Sequence, residues 1–68
     1  MAKKIIIEGM SCNDCVRHVT TALEELGLSE VKVDLASKSA VVEGDASDEA
    51  IKAAIEDAGY DVVEIKNA

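Results

Sequence analysis

The stretch EVKVDLASKSAVVEG, residues 30–44, predicts an antiparallel hairpin in the middle of the chain. Its first part, EVKVDL, alternates apolar and charged residues, which is the period-2 pattern of a half-buried strand. The short polar segment ASKS, residues 36–39, is typical of a turn, and AVVEG, residues 40–44, forms the second strand. The pattern leaves open which face of this second strand points inward.

A strand and a helix precede the hairpin. KKIIIE, residues 3–8, is rich in β-branched residues and predicts a strand. From Asn13 to Leu26 the apolar residues recur every three or four positions, as on one face of a helix. Ser11 followed by Asp14 offers a capping-box start, and Gly27 is a natural stop.

A second helix and a last strand follow the hairpin. Ser47 or Asp45 is expected to cap the helix, and Gly59 to end it. The segment YDVVEI, residues 60–65, then predicts the final strand. The apolar stripe expected to be buried on this helix consists of Ala50, Ile51, Ala54, Ile55 and Ala58.

The resulting order is strand, helix, strand, strand, helix, strand. This order predicts an α+β protein of the ferredoxin-like βαββαβ type, a four-stranded antiparallel sheet with two helices on one face. A chain of 68 residues has room for one domain, residues 1–68, and its 49% apolar residues can supply one core.

The net charge of the chain argues against two classes of partner. Seven basic and fourteen acidic residues give a net charge of −7, which argues against nucleic acid and against anionic membrane surfaces. Neither a signal peptide nor an apolar stretch long enough to cross a membrane is visible. We therefore expect a cytoplasmic protein without membrane insertion, in a compartment where thiols stay reduced.

The two cysteines lie three positions apart in GMSCNDC, residues 9–15. Cys12 falls in the loop after the first strand, and Cys15 in the first turn of the first helix. Backbone N–H groups at a helix start carry partial positive charge and favour the thiolate, which is the form that binds metals. Asp14 between the two cysteines opposes this effect.

Such a pair has several possible uses. A disulfide would close a loop too short to remove much unfolded-state entropy, and the cytosol would reduce it. A thiol-disulfide oxidoreductase also places Cys-x-x-Cys at a helix start, but in a longer architecture with a cis-proline, and this chain has no proline. A zinc site needs four ligands as a rule, and His18 is expected to face outward, so Zn(II) binding would be adventitious.

Cu(I) suits the pair best on chemical grounds. Thiolates select this soft ion, which accepts two sulfur ligands. Two thiolates and Cu(I) sum to one negative charge, which a helix start can stabilise. An ion held by two sulfurs in an exposed loop also stays open to a third thiolate from another protein, as a carrier requires.

The segment GMSCNDC resembles the Gly-Met-x-Cys-x-x-Cys signature of the heavy-metal-associated domain family. VKVDL and IEDAGYDV, together with the valine after Cys15, extend the resemblance over essentially the whole chain and are similar to bacterial cytosolic copper chaperones. The resemblance implies the ferredoxin-like fold, Cu(I) held by Cys12 and Cys15, and transfer to matching cysteines of a partner. Relatives that prefer zinc or cadmium tend to carry aspartate where this chain has Ser11, which favours copper.

Ser11, directly before the first cysteine, is expected to surround the metal ligands together with Met10 and Tyr60, and His18 is a further residue considered for a supporting role. Met10 follows an apolar strand and is expected to anchor the loop from the core, although a thioether can also bind Cu(I). Tyr60 is expected beside the cysteine loop, where it either fills a gap in the core or covers the thiolates. His18 is expected to be a solvated helix residue, unless a dimer holds copper between two copies of the loop.

The sequence thus predicts a copper chaperone rather than an enzyme. Its expected partner is the metal-binding domain of a copper-transporting P-type ATPase or a copper-responsive regulator, and its expected state without metal is a monomer, with a metal-bridged dimer as an alternative. The thiols could also bind Ag(I), Cd(II) or Hg(II) adventitiously.

The main alternative interpretation is a regulatory domain excised from such an ATPase, although the start at Met1 and the brief KNA tail favour a free-standing protein. Mercury carriers are further relatives, but they are periplasmic and would need an export signal.

Overall fold

A computed structural model describes residues 2–68 of the protein. The order of elements is the predicted one, strand, helix, strand, strand, helix, strand. The elements are β1 (Ala2–Glu8), α1 (Asn13–Glu24), β2 (Glu30–Asp34), β3 (Ser39–Glu43), α2 (Asp48–Asp57) and β4 (Asp61–Asn67).

The strands form one sheet in the order β2-β3-β1-β4, and every neighbouring pair is antiparallel. The central strand β1 pairs Ile5 with Ala40 on one side and with Ile65 on the other. The predicted hairpin is present, with Val31 opposite Val42. These pairings confirm the ferredoxin-like arrangement.

The core lies between the sheet and the two helices. β1 contributes Ile5 and Ile7, which alternate with the less buried Lys4 and Ile6. In the described residues the buried hydrophobic cluster comprises Ile5, Ile7, Met10, Val19, Leu23, Leu28, Ala40, Val42, Ile51 and Ile55. Because the cluster draws on both helices and on β1 and β3, both helices cover the same face of the sheet.

The structure decides the face of β3 that the sequence left open. Ala40 and Val42 are buried, whereas Val41 between them is 38% exposed on the uncovered face of the sheet. The alternation follows the pleat, since successive side chains of a strand point to opposite faces.

A β-bulge interrupts the pairing of β1 with β4. The register shifts between Ile6, which pairs with Glu64, and Ile7, which pairs with Val62, so Val63 is the extra residue. Val63 is consequently 59% exposed, and Val62 and Ile65 pack against the core on either side of the bulge.

Several predicted boundaries were wrong by one or two residues, and the boundaries of α1 and β4 matter most for the site. α1 ends at Glu24 rather than Leu26, because Leu26 and Gly27 donate their N–H groups to carbonyls only three residues back and so tighten the last turn. β4 begins at Asp61, which leaves Tyr60 in the loop before it. The predicted cap of α2 is correct at Ser47, whose hydroxyl accepts the Ala50 N–H at 3.1 Å.

In the described part of the chain, neither helix has the length and apolar character needed to cross a bilayer.

Candidate metal centre

The loop that carries the cysteines connects the end of β1 to the start of α1. Gly9 opens it with a φ of +92°, a left-handed conformation that favours glycine. Met10 follows and is 1% exposed, so its side chain is part of the hydrophobic core. The loop is therefore attached to the core directly before the residues that carry the thiols, while Ser11 and Cys12 are exposed.

Cys12 caps α1, and the predicted capping role of Ser11 was wrong. Cys12 has extended backbone angles, and its Sγ accepts the Cys15 N–H at 3.3 Å. A sulfur thus occupies the position that a serine or aspartate oxygen takes at most helix starts. The register explains the correction, because Cys15 is the third residue of the helix and its N–H has no carbonyl partner within it.

The two sulfur atoms lie side by side at the surface. Cys12 Sγ and Cys15 Sγ are 2.6 Å apart, and both thiols are free. Cys12 is exposed, whereas Cys15 is partly buried and packs against the core. One thiol is therefore held by the fold and the other is open to solvent, so the pair could hold a soft metal ion that remains accessible from outside.

The two thiols differ in acidity. The hydrogen bond from the Cys12 thiol, together with that from the Tyr60 hydroxyl, lowers the pKa of Cys15 to about 7. The same hydrogen bond to Cys15 raises the pKa of Cys12, because Cys12 keeps the shared proton. Near neutral pH the pair thus tends toward one thiolate, on Cys15, and one thiol, on Cys12.

Tyr60 lies beside the cysteine loop, as predicted from the topology. Its ring lies beside Gly9, where a Cβ atom would be in ordinary van der Waals contact with the ring at 3.8 Å. Its hydroxyl interacts with the Cys15 sulfur, and this hydrogen bond raises the pKa of Tyr60 to about 12. The ring is partly buried and packs against the core, so Tyr60 both fills space and contacts a thiol.

His18 has a contact that the sequence analysis missed. It is exposed, as expected, but its Nδ1 lies 3.4 Å from the Tyr60 hydroxyl. Its spacing three residues after Cys15 places both side chains on one side of the helix, which was the available signal. The contact itself needs the loop after α2, which only the tertiary structure brings to this point.

Charged groups near the centre are few and exposed. Arg17 lies 3.6 Å from Asp14, and both side chains are more than three-quarters exposed, so this pair adds little to stability. Among residues 2–68, no group of three or more His, Cys, Asp or Glu side chains is arranged to hold a metal ion.

The heavy-metal-associated domain matches residues 4–61 of this sequence. The chain belongs to the heavy-metal-associated domain family. Within this family it is 45% identical over 64 residues to the copper chaperone CopZ of Bacillus subtilis, covering 88% of this chain and 93% of that protein.

The chain also matches a short segment of a much larger protein. The chain is 40% identical over 68 residues to a probable copper-exporting P-type ATPase of Archaeoglobus fulgidus; the match covers 94% of this chain but only 8% of the ATPase. Among solved structures, a CopZ metallochaperone superposes with a TM-score of 0.88 at 34% identity, over 93% of this chain and all of that one.

Proposed function

We propose that this heavy-metal-associated domain is a Cu(I) carrier in which the thiolates of Cys12 and Cys15 bind the ion. The observation that carries the proposal is the convergence of the two sulfurs, 2.6 Å apart, at an exposed helix start. Thiolates favour Cu(I) over harder ions, and the partial positive charge of the helix start offsets the negative charge of the complex. The similarity to copper chaperones along nearly the whole chain supports the same cargo.

The unequal environments of the two thiols suit transfer rather than storage. A thiolate of an acceptor protein attacks the bound ion, a new sulfur–copper bond forms, and the bond to the exposed Cys12 breaks first. The second acceptor thiolate then displaces Cys15. Copper remains Cu(I) throughout, and each bond that is lost is replaced by an equivalent one.

We propose the metal-binding domain of a copper-transporting P-type ATPase, or a copper-responsive regulator, as the acceptor. The support is that the chain is similar to segments of copper ATPases of Archaeoglobus fulgidus and of Rhizobium meliloti. With a net charge of −7, the carrier would favour an acceptor with a basic docking surface. In this proposal, the carrier is one cytoplasmic domain, residues 1–68, and is a monomer without metal.

Anaerobic titration with Cu(I) tests the cargo. The expected result is one ion per chain, with only sulfur in the first coordination shell by X-ray absorption, and loss of binding in the Cys12→Ser/Cys15→Ser variant. Competition with Zn(II) is the matched control. A preference for tetrahedral Zn(II) would falsify the assignment.

A second experiment tests transfer. The loaded carrier is mixed with a separate copper ATPase metal-binding domain, and the copper content of each is measured after anaerobic separation. Movement of copper to the ATPase domain supports a carrier. Retention of all copper on this chain would instead favour a regulatory metal-binding domain of the kind found inside larger ATPases.

One observation favours a different activity, thiol-disulfide exchange. The lowered pKa of Cys15, about 7, gives it thiolate character at neutral pH, as in reactive Cys-x-x-Cys pairs. The test compares the rate at which dithiothreitol reduces insulin with and without the protein. We expect no acceleration, and turnover that depends on both cysteines would establish the oxidoreductase.

A further inference from the structure

Tyr60 connects the cysteine loop with α1. Its ring lies beside Gly9 of that loop, and its hydroxyl is 3.4 Å from His18 Nδ1, one turn beyond Cys15 in the helix. We propose that His18 is a positioning residue, which holds Tyr60 over the cysteine loop and thereby slows the escape of bound Cu(I). The inference rests on the proposed function and extends it to a third side chain.

The direction of the hydrogen bonds follows from the number of protons. A tyrosine hydroxyl can donate one hydrogen bond and accept two. His18 Nδ1 lies 3.4 Å from the Tyr60 hydroxyl oxygen and donates to one of its lone pairs when the imidazole proton is on Nδ1. The hydroxyl proton of Tyr60 then stays free to point toward the cysteine loop.

The contact is useful because Tyr60 and His18 belong to different elements of the fold. Tyr60 belongs to the loop between α2 and β4, whereas His18 is in the second turn of α1, next to the fully buried Val19. His18 is thus mounted on a helix that packs on the core. A hydrogen bond between them ties the loop hydroxyl to the same helix that carries Cys15.

Few other partners compete for the imidazole. Arg17, its neighbour in the helix, is paired with Asp14. Glu25 and Asp57 line the groove between the helices that His18 also borders, but hydrogen bonds from the His18 imidazole to their carboxylates are not observed among the described residues. The contact with Tyr60 is therefore the one through which His18 can act on the metal centre.

A double-mutant cycle tests the proposal. The measured quantity is the first-order rate at which an excess of a chromogenic chelator removes Cu(I) from the loaded protein, without oxygen. His18→Ala is expected to raise this rate about threefold, as for the loss of one weak hydrogen bond. In the Tyr60→Phe background, His18→Ala should have no further effect, because the hydroxyl it positions is gone.

Two single variants serve as controls. Thr21→Ala removes an exposed side chain from the same groove, one turn beyond His18, and should leave the rate unchanged. His18→Asn keeps an N–H donor close to the position of Nδ1 and should retain most of the slow release. A purely structural role for His18 would give equal effects with and without the Tyr60 hydroxyl, and that result would overturn the proposal.

The metal-free protein provides an independent readout. Tyr60 is the only aromatic residue of Tyr, Trp and Phe in the chain, so the near-ultraviolet circular dichroism reports on its ring and hydroxyl alone. His18→Ala should weaken this signal and Thr21→Ala should not, and an unchanged signal in His18→Ala would contradict the inference. If the wild type does not bind Cu(I), the proposed function is wrong. The circular dichroism of the metal-free protein still decides whether His18 positions Tyr60.

Discussion

The sulfur of Cys12 accepts the backbone N–H of Cys15 at 3.3 Å, so a candidate metal ligand is also the N-cap of α1. The two roles make different demands on the same atom. Capping needs any hydrogen-bond acceptor, whereas Cu(I) binding needs a soft thiolate. Substitutions at this position can therefore separate the fold from the proposed chemistry.

Cys12→Ser is expected to abolish tight Cu(I) binding while leaving the metal-free protein as stable as the wild type. The serine hydroxyl is a good N-cap acceptor but a poor ligand for a soft ion. Cys12→Ala should lose both properties and unfold about 5 °C lower, as other domains of this size do when a cap is removed. Thermal unfolding under reducing conditions, followed by Cu(I) titration, measures the two effects. Equal stability of the two variants would show that the cap contributes nothing.

Tyr60→Ala is expected to speed the loss of Cu(I) to a chelator roughly tenfold, in the range found when groups that surround metal ligands are removed. The variant loses both the ring beside Gly9 and the hydroxyl that contacts Cys15. Tyr60→Phe, which keeps the ring, is the matched control and should show a smaller increase. Because the ring is only partly buried, the fold should persist in both variants. Release at the wild-type rate from Tyr60→Ala would mean that the ring does not cover the ion.

Met10→Ala is expected to destabilise the protein by about 3 kcal/mol, because it leaves a cavity where a fully buried side chain was. Both cysteines should become more mobile, since the loop loses its attachment to the core. Met10→Leu conserves volume and should cost less than about 1.5 kcal/mol. Urea unfolding measures the stability, and Cu(I) affinity is measured in parallel.

The Met10→Leu variant also separates packing from metal ligation. If Met10 only anchors the loop, the variant binds Cu(I) as the wild type does. A drop in Cu(I) affinity without a change in stability or thiol mobility would identify the Met10 thioether as a ligand.

Cu(I) affinity should depend on pH in a way set by the two thiols. The pKa of Cys15 is lowered to about 7, so above that pH the metal displaces mainly one proton, from Cys12. Below it, protons compete at both sulfurs. As the pH is lowered, the apparent affinity should therefore fall about tenfold per pH unit above pH 7, where one proton competes, and about a hundredfold per unit below it, where two compete.

Proton release in weakly buffered solution measures this dependence directly. About one proton per Cu(I) is expected near pH 8 and about two near pH 6. Tyr60→Phe is the informative variant, since the Tyr60 hydroxyl contributes to the lowered pKa of Cys15. In this variant, the pH at which proton release changes from two protons per Cu(I) to one should be higher than in the wild type. Release of two protons per Cu(I) by the wild type at every pH would contradict the assignment of a thiolate to Cys15.

Much of the local structure could be predicted because its signals are local. The alternation in residues 30–34, the apolar spacing along α1 and the serine before α2 all correspond to elements that the structure contains. The bulge at Val63 could not be predicted, because it arises from the pairing of β4 with a strand more than fifty residues earlier. The N-cap was misassigned because Ser11 is a more usual cap than Cys12, and the backbone angles of the loop decided between them.

The sequence by itself determined the order of elements and the pair of soft donors, since side-chain periodicity and the Cys-x-x-Cys spacing are written in neighbouring residues. The tertiary structure decided what surrounds those donors. It buried Met10 beneath the loop, set the Tyr60 ring beside Gly9 of that loop and placed His18 within reach of the Tyr60 hydroxyl. The physical reason is that Tyr60 lies forty-two residues after His18, and only packing of both helices on one sheet brings them together.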